Sequence, residues 1–160
     1  MAARNSKKGA GGAAKKAATT RPRSFPQHTP RKQPESIRLR SLSVGFTVND
    51  LPGSLDFYTR ILGFVAGEQW KQDGKLMGME LKAGRATIWL NQDDFAKGRD
   101  RVKGVGVRLY CNTAQDIDTI AAGIKKRGGK LDHEPATHPW GGRDFGLTDP
   151  DGYRITFQSV

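Results

Sequence analysis

The sequence is poor in the residues that build disulfides and thiolate metal sites. Cys111 is the only cysteine among 160 residues, which excludes an internal disulfide and a cysteine-based zinc site. Its alternation with Val105, Val107 and Leu109 predicts a buried thiol rather than a nucleophile. Long apolar runs are also absent: no stretch resembles a signal-peptide core or approaches the roughly 20 apolar residues that span a bilayer. We therefore expect a soluble, cytoplasmic protein that does not enter a membrane.

The first 36 residues have almost no large apolar side chains apart from Phe25. They are rich in Ala, Gly, Lys and Pro, and they carry nine Lys and Arg against one acid, Glu35, so that +8 of the net charge of +11 lies here. Such a segment buries too little to offset the entropy lost on ordering. The sequence therefore predicts a disordered basic tail over residues 1–36 and one domain over residues 37–160.

The basic tail has three interpretations. It is a solvated extension without a partner, a segment drawn to nucleic acid by counterion release, or an organelle-targeting extension. Neither interleaved aromatic residues nor a folded reading element accompanies the basic residues. Any contact with nucleic acid is therefore expected to be weak, non-specific and salt-sensitive.

The domain repeats one order of elements. In the first half, Asn49-Asp50 caps a predicted helix that Gly63 ends; in the second half, Thr113 caps a helix that Gly128-Gly129 ends. Each helix follows one predicted strand and precedes three others. The predicted strands are residues 42–48, 64–70, 76–82 and 86–91, and then 105–111, 130–134, 143–148 and 153–158. An internal duplication explains this order better than chance does.

Two motifs make the domain resemble a known superfamily. FTVNDLPGSLDFYTRILGF (46–64) leads through an Asp-capped helix to Leu-Gly-Phe, and PWGGRDFGLTDPDGYRITF (139–157) places Trp-Gly before a predicted Asp-Pro-Asp-Gly turn. Residues 37–160 resemble the vicinal oxygen chelate superfamily, which includes glyoxalase I, bleomycin resistance proteins, fosfomycin-modifying enzymes and extradiol dioxygenases. The resemblance implies an α+β fold in which two βαβββ modules, about 40–92 and 103–160, form a curved mixed sheet around a cleft. It also implies a homodimer.

The resemblance further implies where a metal would be bound. Metal-using members hold a divalent ion with a His on the first strand, a His or Glu in the middle strands and a Glu on the last strand. Because side chains alternate along a strand, Ser43, Arg108 and Thr156 stand at the corresponding positions. Leu109 replaces Arg108 if the loop before Asp116 has no extra residue. Neither set supplies suitable donors, so we expect no metal and no cofactor.

The predicted cleft is aromatic and cationic, which favours a small anionic or aromatic ligand. The planar guanidinium groups of Arg108 and Arg154 suit carboxylate or phosphate. The alternative is that Arg154 pairs with Asp144 or Glu80 on a neighbouring strand and that the aromatic residues fill a dimer interface. His133 is interpreted as a solvated or cleft-rim residue. The predicted cleft residues are Ser43, Trp89, Asn91, Arg108, Tyr110, His138, Trp140, Arg154 and Thr156.

Three functions are consistent with these patterns. The first is a metal-free member of the superfamily that binds or sequesters a small molecule. The second is a glyoxalase-like lyase or fosfomycin-type transferase with an atypical site, for which the sequence assigns no catalytic residue. The third is an interaction protein that uses its basic tail on nucleic acid.

Overall fold

A computed structural model describes residue 39 and residues 41–160, and the predicted tail lies outside this range. Its first half contains β1 (Val44–Val48), α1 (Leu51–Asp56) continued by a π-helical segment (Phe57–Ile61), β2 (Val65–Gln72), β3 (Lys75–Ala83) and β4 (Ala86–Gln92). Its second half contains β5 (Arg108–Thr113), α2 (Ile117–Lys126), β6 (His133–Thr137), β7 (Arg143–Thr148) and β8 (Arg154–Ser159). None of the helices in the described part of the chain is long and apolar enough to cross a membrane.

The two halves form two four-stranded sheets with the same topology. Sheet A has the order β1-β4-β3-β2, and sheet B has the order β5-β8-β7-β6. In each sheet the first strand pairs in parallel with the last, and the other neighbours are antiparallel. The predicted α+β fold of two βαβββ modules is therefore confirmed.

The helix-covered faces of both sheets share one hydrophobic core. Seven core residues from the two sheets are at most 2% exposed: Phe46, Val48, Leu81, Leu90, Phe145, Leu147 and Ile155. Helix α2 packs on this core through one apolar face, since Ile117, Ala121 and Ile124 are buried. Because strand side chains alternate, the other face of each sheet carries a separate set of residues. We call it the open face.

The Asp-Pro-Asp-Gly turn before β8 joins the modules. Asp149 Oδ1 accepts hydrogen bonds from the backbone N–H groups of Asp151 (2.9 Å) and Tyr153 (2.8 Å), which confirms its predicted turn-forming role. Asp149 Oδ2 accepts a 3.0 Å hydrogen bond from the Tyr58 hydroxyl of the first module. Burial raises the pKa of Asp149 and, more strongly, the pKa of Tyr58. The start of β8 is thus fixed by a buried contact with the other module.

A second junction lies in the connection between β4 and β5. The side chains of Lys103 and Asp93 form an ion pair of 2.8 Å, and both are 3% exposed. Arg101 lies 2.8 Å from the same carboxylate oxygen. The hydrogen bond from Lys103 and then that from Arg101 hold the pKa of Asp93 well below its usual range. The two modules are therefore connected by a polar cluster as well as by the core.

The predicted starts of β1 and β5 are wrong. Leu42 precedes β1 and is 79% exposed, whereas the alternating pattern put it on the buried face. Val105 and Val107 were expected in the core, but they are 77% and 40% exposed. The chain turns here, because Gly104 and Gly106 adopt φ values of +71° and +73°. Strand β5 therefore begins only after this turn.

The predicted helix caps also need correction. Asp116, and not Thr113, caps α2, and its Oδ1 accepts a 2.7 Å hydrogen bond from the N–H of Thr119. Asp50 is the N-cap of α1, but its side chain makes no capping hydrogen bond. Cys111 is partly buried, and burial raises the pKa of its thiol to about 11, which agrees with an unreactive side chain. The second strand of module two, β6, begins at His133 rather than at residue 130, a shift that matters for the site.

Candidate functional site

The open face of sheet B is organised in three rungs of residues that pair in register. Successive rungs are two residues apart along the strands, about 6.6–6.8 Å. From one end to the other, the rungs across β5, β8 and β7 are Arg108, Arg154 and Thr148; Tyr110, Thr156 and Gly146; and Asn112, Gln158 and Asp144.

A cavity of about 420 Å³ opens at the arginine end of this face. Its polar lining comes from all four strands of the sheet or their ends: Arg108, Arg154, Thr156, Thr148, Asp132 and His133. Three of these residues, Arg108, Arg154 and Thr156, belong to the predicted cleft set. The cavity therefore lies within the second module.

The two arginines are close neighbours of like charge. Arg108 and Arg154 are register partners on adjacent parallel strands, whose spacing is about 4.7–4.9 Å. Within residues 41–160, neither forms an ion pair with an acid. Glu80 and Asp144, the acids considered for Arg154, each contact another side chain. Adjacent like charges are unfavourable, and an anion between them would relieve the repulsion.

Thr156 lies in the cavity beside the arginines. The residue is 4% exposed, and it lines the cavity. Its hydroxyl adds a neutral donor and acceptor to this part of the lining, which suits a polar ligand atom.

His133 lines the cavity from β6, whereas the sequence indicated only a solvated or cleft-rim residue. A Cβ atom on Gly146 would lie 2.7 Å from His133 Nε2, so the ring occupies the space that a side chain on β7 would fill. Nδ1 of His133 lies 3.3 Å from the carbonyl oxygen of Glu134. The available signal was Gly146 itself, a glycine inside a strand, which often marks the close approach of another group.

Asp132 brings a negative charge to the cavity. Its Oδ2 accepts a 2.6 Å hydrogen bond from the Thr148 hydroxyl, and its backbone N–H donates to the Gly146 carbonyl at 2.8 Å. These contacts satisfy the carboxylate without an arginine. Two guanidinium groups therefore face one carboxylate in the cavity lining, which leaves the site net positive.

Six predicted cleft residues lie outside the cavity lining, and four of them lie on β1, β4 and β5 or just before them. Ser43 precedes β1 and is exposed. Trp89 and Asn91 lie on β4 of sheet A, in register with Gly45 and Thr47. Tyr110 is the neighbour of Thr156 in the middle rung, but it points to solvent and is 62% exposed.

His138 and Trp140 form a separate cluster at the opposite end of the face. Their rings stack at 4.6 Å with an interplanar angle of 6°, and Trp140 is 81% exposed. His138 Nε2 and Asp144 Oδ1 are buried atoms 2.9 Å apart, and neither has another polar partner within the described residues. Asp144 belongs to the rung of Gln158, about 13 Å along the strand from Arg154. The cluster is therefore distinct from the arginine cavity.

The side chains at the implied metal positions do not fit a divalent ion. The register puts Arg108 on the open face and Leu109 on the core side, which resolves the alternative left by the sequence. A guanidinium group offers no lone pair, and Ser43 and Thr156 offer only hydroxyls. In the described part of the chain, no group of three or more His, Cys, Asp or Glu side chains is arranged to hold a metal.

Comparisons with known proteins agree with this architecture. The family model described as Glyoxalase/Bleomycin resistance protein/Dioxygenase superfamily matches residues 40–157. A member of that superfamily from Sphaerobacter thermophilus DSM 20745 is 25% identical, with a TM-score of 0.59 over 74% of this chain and 94% of that chain. The structure of TioX from Micromonospora sp. ML1 is 17% identical, with a TM-score of 0.62 over 74% of this chain and 96% of that chain. The likeness to TioX shows a shared fold alone.

One curated relative is an enzyme. Lactoylglutathione lyase GLX1 of Arabidopsis thaliana is 24% identical over 133 residues, which are 79% of this chain. The chain spans only 46% of the length of that relative.

Proposed function

Because the chain belongs to the glyoxalase/bleomycin resistance protein/dioxygenase superfamily, we propose that it binds a small anionic or aromatic molecule, without a metal ion, on the open face of sheet B. The cross-strand pair of Arg108 and Arg154 carries this proposal. Two like charges stand side by side in a cavity, and the acids available to neutralise Arg154 are engaged elsewhere. An anionic ligand supplies the missing counter-charge.

The energies involved are sufficient for a specific site. A hydrogen bond to a charged group contributes about 1.5–3 kcal/mol, and a guanidinium group can make two of them to one oxyanion. One such contact corresponds to about a tenfold or greater change in affinity. Tyr110, beside the buried Thr156, offers an exposed ring to an aromatic part of the ligand.

The test is calorimetric titration of the full-length protein with matched benzene derivatives: benzoate, phenyl phosphate and neutral benzamide. We expect the anions to bind and benzamide not to bind. Arg154→Gln should weaken the binding of the anions about tenfold or more. Arg85→Gln, in the turn between β3 and β4, removes the same charge far from the cavity and should change nothing. Equal affinity of wild type and Arg154→Gln would refute the proposal.

Metal content is a separate measurement. The donor set at Ser43, Arg108 and Thr156 leads us to expect less than stoichiometric metal by elemental analysis and no shift in thermal stability on adding chelator. One tightly held divalent ion per chain in the cleft would contradict the metal-free site.

A lyase with an atypical site is the second candidate. The observation that favours it is the pair of His138 and Asp144, because a carboxylate beside an imidazole can orient a general base. The named activity of the Arabidopsis relative provides the assay. If binding is the function, lactoylglutathione is neither formed nor broken down above background. Turnover that disappears in His138→Gln would establish the lyase instead.

The predicted partners of the chain remain proposals. We expect a homodimer, which size-exclusion chromatography with light scattering would detect. We also expect residues 1–36 to give weak, salt-sensitive contact with nucleic acid. Deleting residues 1–36 should lower the affinity for random DNA at low salt. Unchanged affinity would refute electrostatic contact between these residues and nucleic acid.

A further inference from the structure

We propose that the ligand carries a tetrahedral oxyanion, as in a phosphate monoester or a sulfonate, and that Thr156 and His133 complete the binding of this group. This inference rests on the proposed function, because it starts from an anion held between Arg108 and Arg154. It adds the chemical class of the anion and two residues that select it.

The donors line one cavity from three strands of sheet B. Arg108 and Arg154 come from β5 and β8, while His133 comes from β6, on the far side of β7. Thr156, on β8, is in register with Gly146 of β7. A carboxylate has two oxygens for these donors, whereas a tetrahedral oxyanion has three, which matches a lining that offers two guanidinium groups, a hydroxyl and an imidazole.

The hydroxyl of Thr156 adds a neutral donor to the same lining. The residue is 4% exposed and lines the cavity. The third oxygen of a tetrahedral oxyanion can accept its hydrogen bond.

The His133 ring presents a nitrogen to the cavity. Nε2 is the ring atom nearest to Gly146, while Nδ1 lies 3.3 Å from the carbonyl oxygen of Glu134. An N–H group at Nε2 donates a hydrogen bond to an oxyanion.

The first test compares three probes on the full-length protein: phenyl phosphate, benzenesulfonate and benzoate. We expect both tetrahedral probes to bind about tenfold more tightly than planar benzoate. A tighter complex with phenyl phosphate than with benzenesulfonate would identify a phosphate ligand, and the reverse order a sulfonate. Benzoate binding that equals or exceeds both would overturn the inference, yet leave the proposed function intact if Arg154→Gln still weakens it. Loss of binding for all three probes would refute both.

Two substitutions test the residues without changing any charge. Thr156→Val keeps the shape of the side chain, and we expect about a tenfold loss for the tetrahedral probes with a smaller loss for benzoate. Gly146→Ala places a methyl group where the His133 ring lies and should weaken the same probes severalfold. Gly67→Ala is the matched control, because it displaces the Glu80 carboxylate on sheet A and should leave affinity unchanged. Wild-type affinity in both Thr156→Val and Gly146→Ala would contradict the assignment.

Discussion

The two modules share one topology, but within the described residues their open faces differ in how the charged side chains are neutralised. In sheet A, Glu80 lies over Gly67 and is satisfied by Lys82 at 2.8 Å. In sheet B, His133 lies over Gly146, and the neighbouring arginines have no acidic partner in the described residues. Both sheets thus use a strand glycine to seat a polar side chain from the adjacent strand. Duplication therefore gives both sheets the same rungs of paired residues. The residue types at each rung decide whether the charges on the face are neutralised within the protein or by a ligand.

The largest expected effect comes from making sheet B resemble sheet A. Arg108→Glu places an acid beside Arg154 and completes the ion pair within the protein. We expect anion affinity to fall about a hundredfold or more, because the ligand must now compete with an internal carboxylate. Arg85→Glu makes the same charge change at a remote turn and serves as the control. Titration with phenyl phosphate measures the affinity of both variants. Retained affinity in Arg108→Glu would contradict the role of the unpaired arginines in anion binding.

Removing the hydrogen bond between Tyr58 and Asp149, which joins the modules, should have an effect of intermediate size, on stability. Tyr58→Phe removes the hydroxyl that donates to buried Asp149, and we expect the free energy of unfolding to fall by about 1–2 kcal/mol at pH 7. Urea denaturation followed by circular dichroism measures the change. Tyr153→Phe, which removes a partly buried hydrogen bond to the Thr47 carbonyl, is expected to cost less.

The cost of Tyr58→Phe should also depend on pH. Burial raises the pKa of Asp149 above its unfolded value, so its contribution to stability is fully present below the unfolded pKa, about 3.9, and decreases as pH rises through the folded pKa. The Tyr58 hydroxyl opposes that decrease by stabilising the ionised carboxylate. The destabilisation by Tyr58→Phe should therefore be larger at pH 7 than at pH 4. An equal cost at both values would mean that the hydroxyl does not favour the ionised form.

The smallest expected effect has the opposite sign. Arg154→Gln removes one of two adjacent like charges, and we expect the ligand-free protein to become more stable by about 0.2–0.5 kcal/mol at low ionic strength. Added salt should erase the gain, because it screens the repulsion. Thermal denaturation at two salt concentrations, with Arg85→Gln as control, measures it. A loss of stability would show that Arg154 has a favourable partner within the protein.

The fold could be predicted from local patterns because each pattern is physically strong. The alternation around Ile155 and the apolar stripe of α2 each bury one face, and a shift of register would expose it. The start of β5 could not be predicted in this way. Val105 and Val107 fit an alternating strand, but the positive φ values of Gly104 and Gly106 depend on how the connection between the modules packs.

The residues of the site were likewise predictable only in part. Alternation within one strand was sufficient to put Arg154 and Thr156 on the same face, and both line the cavity. The place of His133 depends on the glycine of another strand and on a strand that begins three residues later than expected. Ser43 was assigned by extending β1 backward, but the strand begins at the next residue. Properties of one strand were accessible from sequence, whereas proximity between strands was not.

The connection that carries Gly104 has a consequence for variation far from the cavity. A methyl group at this position would overlap the carbonyl group of Gly152, and Gly152 ends the turn that leads directly into β8. Any bulk added at Gly104 must therefore push on the strand that presents Arg154 and Thr156. Substitutions in this distant connection are expected to alter ligand selectivity along with folding, so that selection on recognition extends to residues that never touch the bound molecule.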